Sequence, residues 1–273
     1  MPEGPETRRM ADRIKKSLIG KDILHFHFNH EALADLKKIE KIIVVDALSR
    51  GKAIIIRLHN GKSIISHNQL YGKWTFHRPK TIVKRNRQLR IEFITRTKAV
   101  RLWSATDIQV LNSSIESSHE YLKKIGPDIL SKKTDLRIII DLLVGKKSRN
   151  RALSFVLLDQ SILSGIGNYL RSEILFFSLL HHSQKVSELN QNQVLSLGKA
   201  IKEVTERAYF QKGKTIDLKY FSKEFGNIDN FRRVKHMVFG REGLPCFICS
   251  QIIIKLIVSS RRIFLCANCQ NYS

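Results

Sequence analysis

Acidic residues are scarce in this chain of 273 residues: Asp and Glu total 24 against 48 Lys and Arg, a formal charge of +24 at pH 7. A surplus of that size repels itself and calls for a polyanionic partner: nucleic acid, an anionic membrane surface or an acidic protein. Charge alone also fits a ribosome-associated or merely basic protein. No apolar run approaches the ~18 residues that cross a bilayer, which excludes a helical membrane protein. The basic residues are not segregated on one long amphipathic helix, so a membrane-surface protein is disfavoured. Nor are they gathered in a tail, which points to a folded surface that tracks phosphates. Met1 to Met10 is charged and polar, so no signal peptide is expected and the protein is expected to work inside the cell. No convincing carboxylate cluster for magnesium is present, which disfavours a metal-dependent nuclease. Internal repeats and low-complexity blocks are absent. Hydrophobic residues make up 42% of the chain, enough for a real core, and the length suits two modest domains or one large one.

Cysteine is missing until residue 246, after which Cys246-x-x-Cys249 and Cys266-x-x-Cys269 follow, 16 residues apart. Two such knuckles suit a reducing compartment and a metal ion better than disulfides or four free buried thiols. The spacing is that of a tetrahedral zinc site, one Zn2+ per chain. Four thiolates leave no open coordination position, so the ion is expected to be structural. Between the knuckles, residues 252–258 and 263–265 read as strands with Ser259, Ser260, Arg261 and Arg262 at the turn. The unit is a hairpin finger whose basic tip holds Arg261 out toward a phosphate.

Met10, Ile14 and Leu18 have helical spacing with charges between them, and Gly20 ends the helix. The runs 42–45, 53–58 and 63–66 are β-branched, with Asn60-Gly61 as a hairpin turn between the last two. Residues 90–95 alternate, and 100–103 follow a polar turn. The polar stretch 112–119 reads as a linker. After it, 153–160, 168–180 and 191–210 are helical in period, while 213–230 shows no clear period. The expected class is α+β: an N-terminal helix plus β-sandwich domain (1–118), a helical domain (119–236) and the cysteine finger (237–270).

The start of the chain, Met1-Pro2-Glu3-Gly4-Pro5-Glu6, carries the second chemical signal. A small second residue allows removal of Met1, which exposes Pro2 as a secondary amine. A terminal α-amine titrates near neutrality, so a useful fraction is unprotonated and nucleophilic. Attack on the anomeric carbon of a sugar would give an iminium, with Glu3 beside it to donate and accept protons. By themselves these six residues fit a proline-rich lead into a helix at least as well.

The same start occurs together with Arg50-Gly51-Lys52-Ala53, Ser66-His67-Asn68-Gln69-Leu70-Tyr71-Gly72, Gly126-Pro127-Asp128, Leu158-Asp159-Gln160, Gly165-Ile166-Gly167-Asn168-Tyr169-Leu170, Ser259-Ser260-Arg261 and the cysteine knuckles. In this order the strings resemble the formamidopyrimidine-DNA glycosylase/endonuclease VIII family, from residue 2 to residue 269, and most of all its endonuclease VIII branch. The resemblance implies a bifunctional DNA glycosylase and lyase of base excision repair. Pro2 would be the nucleophile, Glu3 the acid that helps open the sugar ring, and Lys52 a catalytic proton donor and backbone contact. Without the resemblance Lys52 is an ordinary solvated turn lysine.

Gln69, Leu70 and Tyr71 resemble the wedge that fills the gap left by an everted nucleotide. Alone, they read as a post-strand loop with a core Leu and Tyr. Their contiguity is the endonuclease VIII pattern and favours oxidised pyrimidines. Gly126-Pro127-Asp128 and the segment ending at Asn168 resemble a helix-two-turns-helix element, in which Asn168 caps a helix or donates to a phosphate. Lys124 falls at a phosphate contact, and Arg261 at the arginine that assists elimination. The implied partner is damaged double-stranded DNA, with single-stranded DNA as a second candidate, bound by a monomer in the cleft between the two domains. Arg262-Ile263-Phe264 departs from the branch, which often has Arg-Pro-Phe at the tip. Residues 213–230, where base-selecting loops lie in the family, match no family string. A non-catalytic DNA- or RNA-binding protein accounts equally for charge and metal, but has no need of Pro2 and Glu3.

Overall fold

The computed structural model describes residues 2–83, 86–216 and 234–271. The chain forms two compact units: one holds residues 1–2 and 7–124, the other residues 3–6 and 125–273. It is α+β, as expected.

The first unit starts with helix α1 (Gly4–Leu18), whose Ile14 and Leu18 are fully buried. Eight antiparallel strands follow: β1 (His25–Phe28), β2 (Val44–Arg50), β3 (Ala53–Leu58), β4 (Lys62–His67), β5 (Lys73–His77), β6 (Leu89–Ile94), β7 (Ala99–Trp103) and β8 (Asp107–Asn112). They make two four-stranded sheets, ordered β1-β6-β7-β5 and β2-β3-β4-β8. One core joins them, with Phe93, Val100 and Leu102 from the first sheet, Ile54, Ile56 and Ile64 from the second, and Ile14 and Leu18 from α1. Alternation explains this: side chains two apart share a face of a strand. Asn60-Gly61 turns β3 into β4, with Gly61 at φ +74° and the Asn60 carboxamide accepting from Lys62 N.

The stretch expected as a linker is built into the first unit. Ser113–Ser118 is a 3-10 helix whose Glu116 is buried. The Arg57 guanidinium donates to both oxygens of Glu116, at 2.8 and 2.7 Å, and Ser63 donates as well. Arg57 holds the Glu116 carboxyl below its ordinary pKa, against burial. Helix α2 (Glu120–Lys124) follows.

The second unit is helical: α3 (Leu136–Val144), α4 (Leu153–Val156), α5 (Asn168–Phe177) and α6 (Gln191–Phe210). A capping box starts α6, with Asn190 accepting from Gln193 N and Gln193 accepting from Asn190 N, both at 2.9 Å. Strands β9 (Ile254–Val258) and β10 (Arg261–Leu265) pair as a hairpin that buries Ile263 in the helical core and packs Phe264 against Phe239, with ring centroids 5.0 Å apart. The tip is tighter than expected. Ser259 and Ser260 alone make the turn, at φ +47° and +62°, while Arg261 and Arg262 belong to β10. Two left-handed central residues are what a two-residue hairpin with right-handed twist requires. Serine accepts that conformation less readily than glycine or asparagine.

Glu173 of α5 is fully buried, and its carboxylate accepts from Met237, Val238 and Phe239 N at 2.7, 2.8 and 2.9 Å and from the Thr215 hydroxyl. Residues 217–233, which include most of the stretch without clear period, lie outside the described residues; the Glu173 carboxylate binds both flanks. An amide in its place turns one acceptor into a donor aimed at other donors. Glu173→Gln is therefore expected to cost about 3 kcal/mol and to lower the melting temperature by ~6–12 °C in a chain of this size, as read by calorimetry. An unchanged midpoint would remove the carboxylate from this role.

Candidate active site

The second unit assembles its site around a glycine-rich loop. Gln160 shapes the loop: its carboxamide nitrogen donates to Leu158 O and Ile166 O, both at 2.9 Å, and its oxygen accepts from Gly165 N at 3.0 Å. Gly4 N donates to Gly165 O at 2.8 Å, which brings the start of the chain against the loop. Contact this close needs glycines. A Cβ on Gly167 would lie 2.3 Å from Glu3 Cδ, and Gly165 stands at φ +112°.

The Glu3 carboxylate sits in this cradle, 5% exposed. It accepts from Gly167 N at 2.8 Å, Tyr169 N at 2.9 Å and Leu170 N at 3.3 Å, the free amides at the start of α5. A carboxylate here meets both unpaired donors and the positive end of the helix dipole. This corrects the capping expectation for Asn168. The cap position is Gly167, Asn168 is the first helical residue, and its Oδ1 is buried without a hydrogen-bond partner. Glu6, which carries no local mark in the sequence, joins the site: its carboxylate accepts from Glu3 N at 3.1 Å and from the Tyr169 hydroxyl at 3.1 and 2.9 Å. Both oxygens of both acids face defined donors, and Pro2 directly precedes them. Met1 lies outside the described residues.

A basic feature lies on α5 itself. Arg171 is 1% exposed, with its guanidinium donating to Ser154 O at 3.2 Å and Arg262 O at 3.0 Å while its Nε has no hydrogen-bond partner. Burial brings its pKa down to about 10, and the nearby Arg261 acts in the same direction, with Glu3 opposing. Arg151, Asp159, Arg171, Ser259 and Arg261 line a cavity of about 230 Å³, in which Asp159 pairs with Arg151 at 2.8 Å. The positive excess lies with Arg171 and Arg261, and guanidiniums so placed suit an anion. Arg171 is the residue the sequence concealed, since one arginine among 48 basic residues carries no local mark.

The four cysteines are reduced and gathered at one point, their sulfurs within 4.8 Å of one another. Cys246–Cys269, Cys249–Cys266 and Cys249–Cys269 are separated by 3.9, 3.4 and 3.5 Å. A tetrahedral ion with ligands at ~2.3 Å sets its sulfurs about 3.8 Å apart, so the donor set fits one divalent soft ion. Burial opposes ionisation of Cys249, but the Gln251 backbone and the neighbouring thiols hold it down to about 7. Burial pushes Cys266 and Cys269 up.

In the first unit Lys52 occupies the two-residue turn between β2 and β3, after Gly51 at φ +58°. Its backbone N–H donates to the Tyr121 hydroxyl at 2.9 Å. The loop after β4 holds Gln69 at φ +44° and leaves Leu70 72% and Tyr71 68% exposed, which excludes a core role for either. Gly72 N closes the loop on Asn68 O at 2.7 Å. Lys124 is exposed at the end of α2 and ion-paired with Glu120. Among the described residues, no helix is long and apolar enough to cross a membrane.

Comparison with known proteins agrees with this picture. Residues 1–106 match the formamidopyrimidine-DNA glycosylase N-terminal domain, and residues 125–219 match the formamidopyrimidine-DNA glycosylase H2TH domain. Endonuclease 8 of Salmonella arizonae is 35% identical over 274 residues, spanning 99% of this chain and all of that protein. Endonuclease 8 of Salmonella typhi is 36% identical over the same extent. Among solved structures, the Lactococcus lactis formamidopyrimidine DNA glycosylase bound to DNA with an AP site superposes with a TM-score of 0.78 at 20% identity, over 99% of this chain and all of that one. MutM in complex with DNA carrying carbocyclic 8-oxo-G gives 0.79 at 21% identity over the same shares.

Proposed function

The chain belongs to the formamidopyrimidine-DNA glycosylase/endonuclease VIII family and is a DNA glycosylase of DNA repair; from that premise we propose that it excises oxidised bases, pyrimidines by preference, through an iminium on Pro2, and then cuts the strand as a lyase. The observation that carries this reading is the fixed Glu3 carboxylate, held by three backbone amides beside the residue that bears the amine.

In the proposed chemistry the Pro2 nitrogen lone pair forms a bond to C1′ as the bond to the damaged base breaks, and the departing base takes up a proton from solvent. The Glu3 carboxylate takes the proton that the Pro2 nitrogen sheds and passes it to the ring oxygen as the sugar opens, leaving an iminium. That cation acidifies C2′, and loss of the C2′ proton expels the 3′ phosphate (β-elimination). A second elimination expels the 5′ phosphate, and water releases the sugar remnant from Pro2. Lys52 acts as a proton donor and backbone contact. Arg261 holds the flanking phosphate, and Arg171 lines the same cavity. Gln69, Leu70 and Tyr71 fill the space of the everted nucleotide, consistent with the exposure of Leu70 and Tyr71. Lys124 and Asn168 contact phosphates, and Lys124 must first leave Glu120. The cysteines hold one structural Zn2+ that supplies no catalysis. The protein acts as a monomer on damaged duplex DNA.

Borohydride trapping of the Met-processed protein on a duplex with one oxidised pyrimidine tests this reading, with a Pro2-blocked protein as control and single-stranded DNA alongside. A covalent adduct that vanishes with the block is expected. Tight binding without adduct on an oxidised pyrimidine, an oxidised purine or an abasic site would leave a binding protein on a glycosylase scaffold.

A further inference from the structure

We propose that Tyr121 is a positioning residue for Lys52 and that, through the His67 ring, it ties the seating of the 69–71 wedge to the aim of that lysine. The inference rests on the reading above for the role of Lys52, and every group it uses lies in the first unit.

In a two-residue hairpin turn the flanking residues pair with each other, here Arg50 with Ala53, and the amides of the central residues can donate to groups outside the turn. The Lys52 amide is one of these. The hydroxyl that accepts it comes from α2, 69 residues further along the chain. Tyr121 is half-buried; its neighbour Leu122 is buried and seats the short helix, and the Tyr121 amide donates to His119 Nδ1 at 3.2 Å, which caps the helix start. The hydroxyl is thus a fixed post for a turn whose first residue, Gly51, is the most permissive available.

His67 packs against the Tyr121 ring. It pairs with Ala53 across β3 and β4, one residue from Lys52, and its ring centroid lies 5.1 Å from that of Tyr121. Its Nδ1 accepts from Gln69 N at 3.2 Å, at the left-handed residue that throws Leu70 and Tyr71 outward. Gln69 continues the chain of contacts to Asp107 and Thr106, each at 3.4 Å. A histidine that accepts at Nδ1 is neutral and carries its proton on Nε2. Burial lowers the pKa of His67, Lys52 and His119 add to this, and Asp107 opposes. The path from wedge to lysine is therefore continuous: Gln69 amide, His67 ring, Tyr121 ring and hydroxyl, Lys52 amide. Strain at Gln69, when the wedge engages a duplex, reaches the turn that aims Lys52.

Tyr121→Phe removes the acceptor and keeps the ring. The expected result is unchanged DNA affinity and KM, kcat for base release about tenfold lower from misplaced geometry, and faster hydrogen exchange at the Lys52 amide. On the residual activity of Lys52→Ala, Tyr121→Phe should add nothing. His67→Ala, which spares the hydroxyl, should also speed exchange at Lys52. A wild-type kcat in Tyr121→Phe, or equal slowing in both backgrounds, overturns the positioning role. Unaltered Lys52 exchange in His67→Ala overturns the coupling to the wedge. Should the wild-type chain release no base, the glycosylase reading falls, while exchange at Lys52 still decides whether the hydroxyl holds the turn.

Discussion

Glu3→Gln is expected to bind damaged DNA as the wild type does and to release the base about a thousandfold more slowly, the loss typical of a positioned proton donor. Two effects must be separated, because Glu3 is also the cap of α5. Glutamine offers one oxygen to amides that now meet two, and its NH2 group faces donors. The stability lost in this way is about 1–3 kcal/mol, which lowers the melting temperature by ~2–12 °C. A folded population that stays near complete at 25 °C slows nothing measurably. The slowing expected here is roughly 4 kcal/mol of transition-state stabilisation, too large for the lost cap to supply. Single-turnover kinetics at 15 and 25 °C on a folded variant make the distinction. Activity that returns in proportion to the folded fraction would make Glu3 a cap and nothing more, and cleavage at the wild-type rate would remove the acid assignment.

What the sequence displayed was local. Helix α6 was legible to the residue at both ends because Asn190 and Gln193 announce its start, and β3 and β4 because Asn60-Gly61 joins two β-branched runs. Strand β1, His-Phe-His-Phe, alternates exposed histidines with half-buried Phe26 and buried Phe28, but four residues are too short a run to announce a strand by themselves. Helix α3 could have been found from Asp135 ahead of an apolar run, since Asp135 accepts from Ile138 N at 2.9 Å. The errors share one cause, a partner far along the chain. Glu116 looked like linker until Arg57, 59 residues earlier, supplied its charge partner. Asn168 looked like a cap because Asn commonly is one, but Glu3 takes that role from 164 residues away, through a space that only Gly167 leaves open. Local rules rank the candidates at a helix start; they say nothing of a carboxylate arriving from elsewhere. The same holds for Arg171 and Tyr121, whose partners are set by packing alone.

Removal of the metal is expected to melt the finger while the sandwich stays folded. Zinc-thiolate sites contribute ~10–16 kcal/mol of apparent binding energy to small fingers at pH 7, more than a two-stranded hairpin holds by itself. Without an ion, the pushed-up Cys266 and Cys269 are neutral thiols, and the close sulfur contacts lose their reason. The hairpin turn then opposes the fold, with two serines in left-handed conformation. Ile263 and Phe264 leave the cores they fill, and Arg171 loses the Arg262 carbonyl. The damage should stop at the first unit, because its core, among the described residues, is built from the segment 10–110. Calorimetry with a strong chelator, or of Cys266→Ser, should therefore show a transition moved down by more than ~10 °C and a second one unmoved, with β-sheet circular dichroism largely kept. DNA affinity should fall with the first transition, since Arg261 goes with the hairpin. Elemental analysis should find one zinc per chain beforehand. A single transition indifferent to chelator, in a protein without stoichiometric metal, would leave the four thiols as buried packing and would take the metal out of the finger.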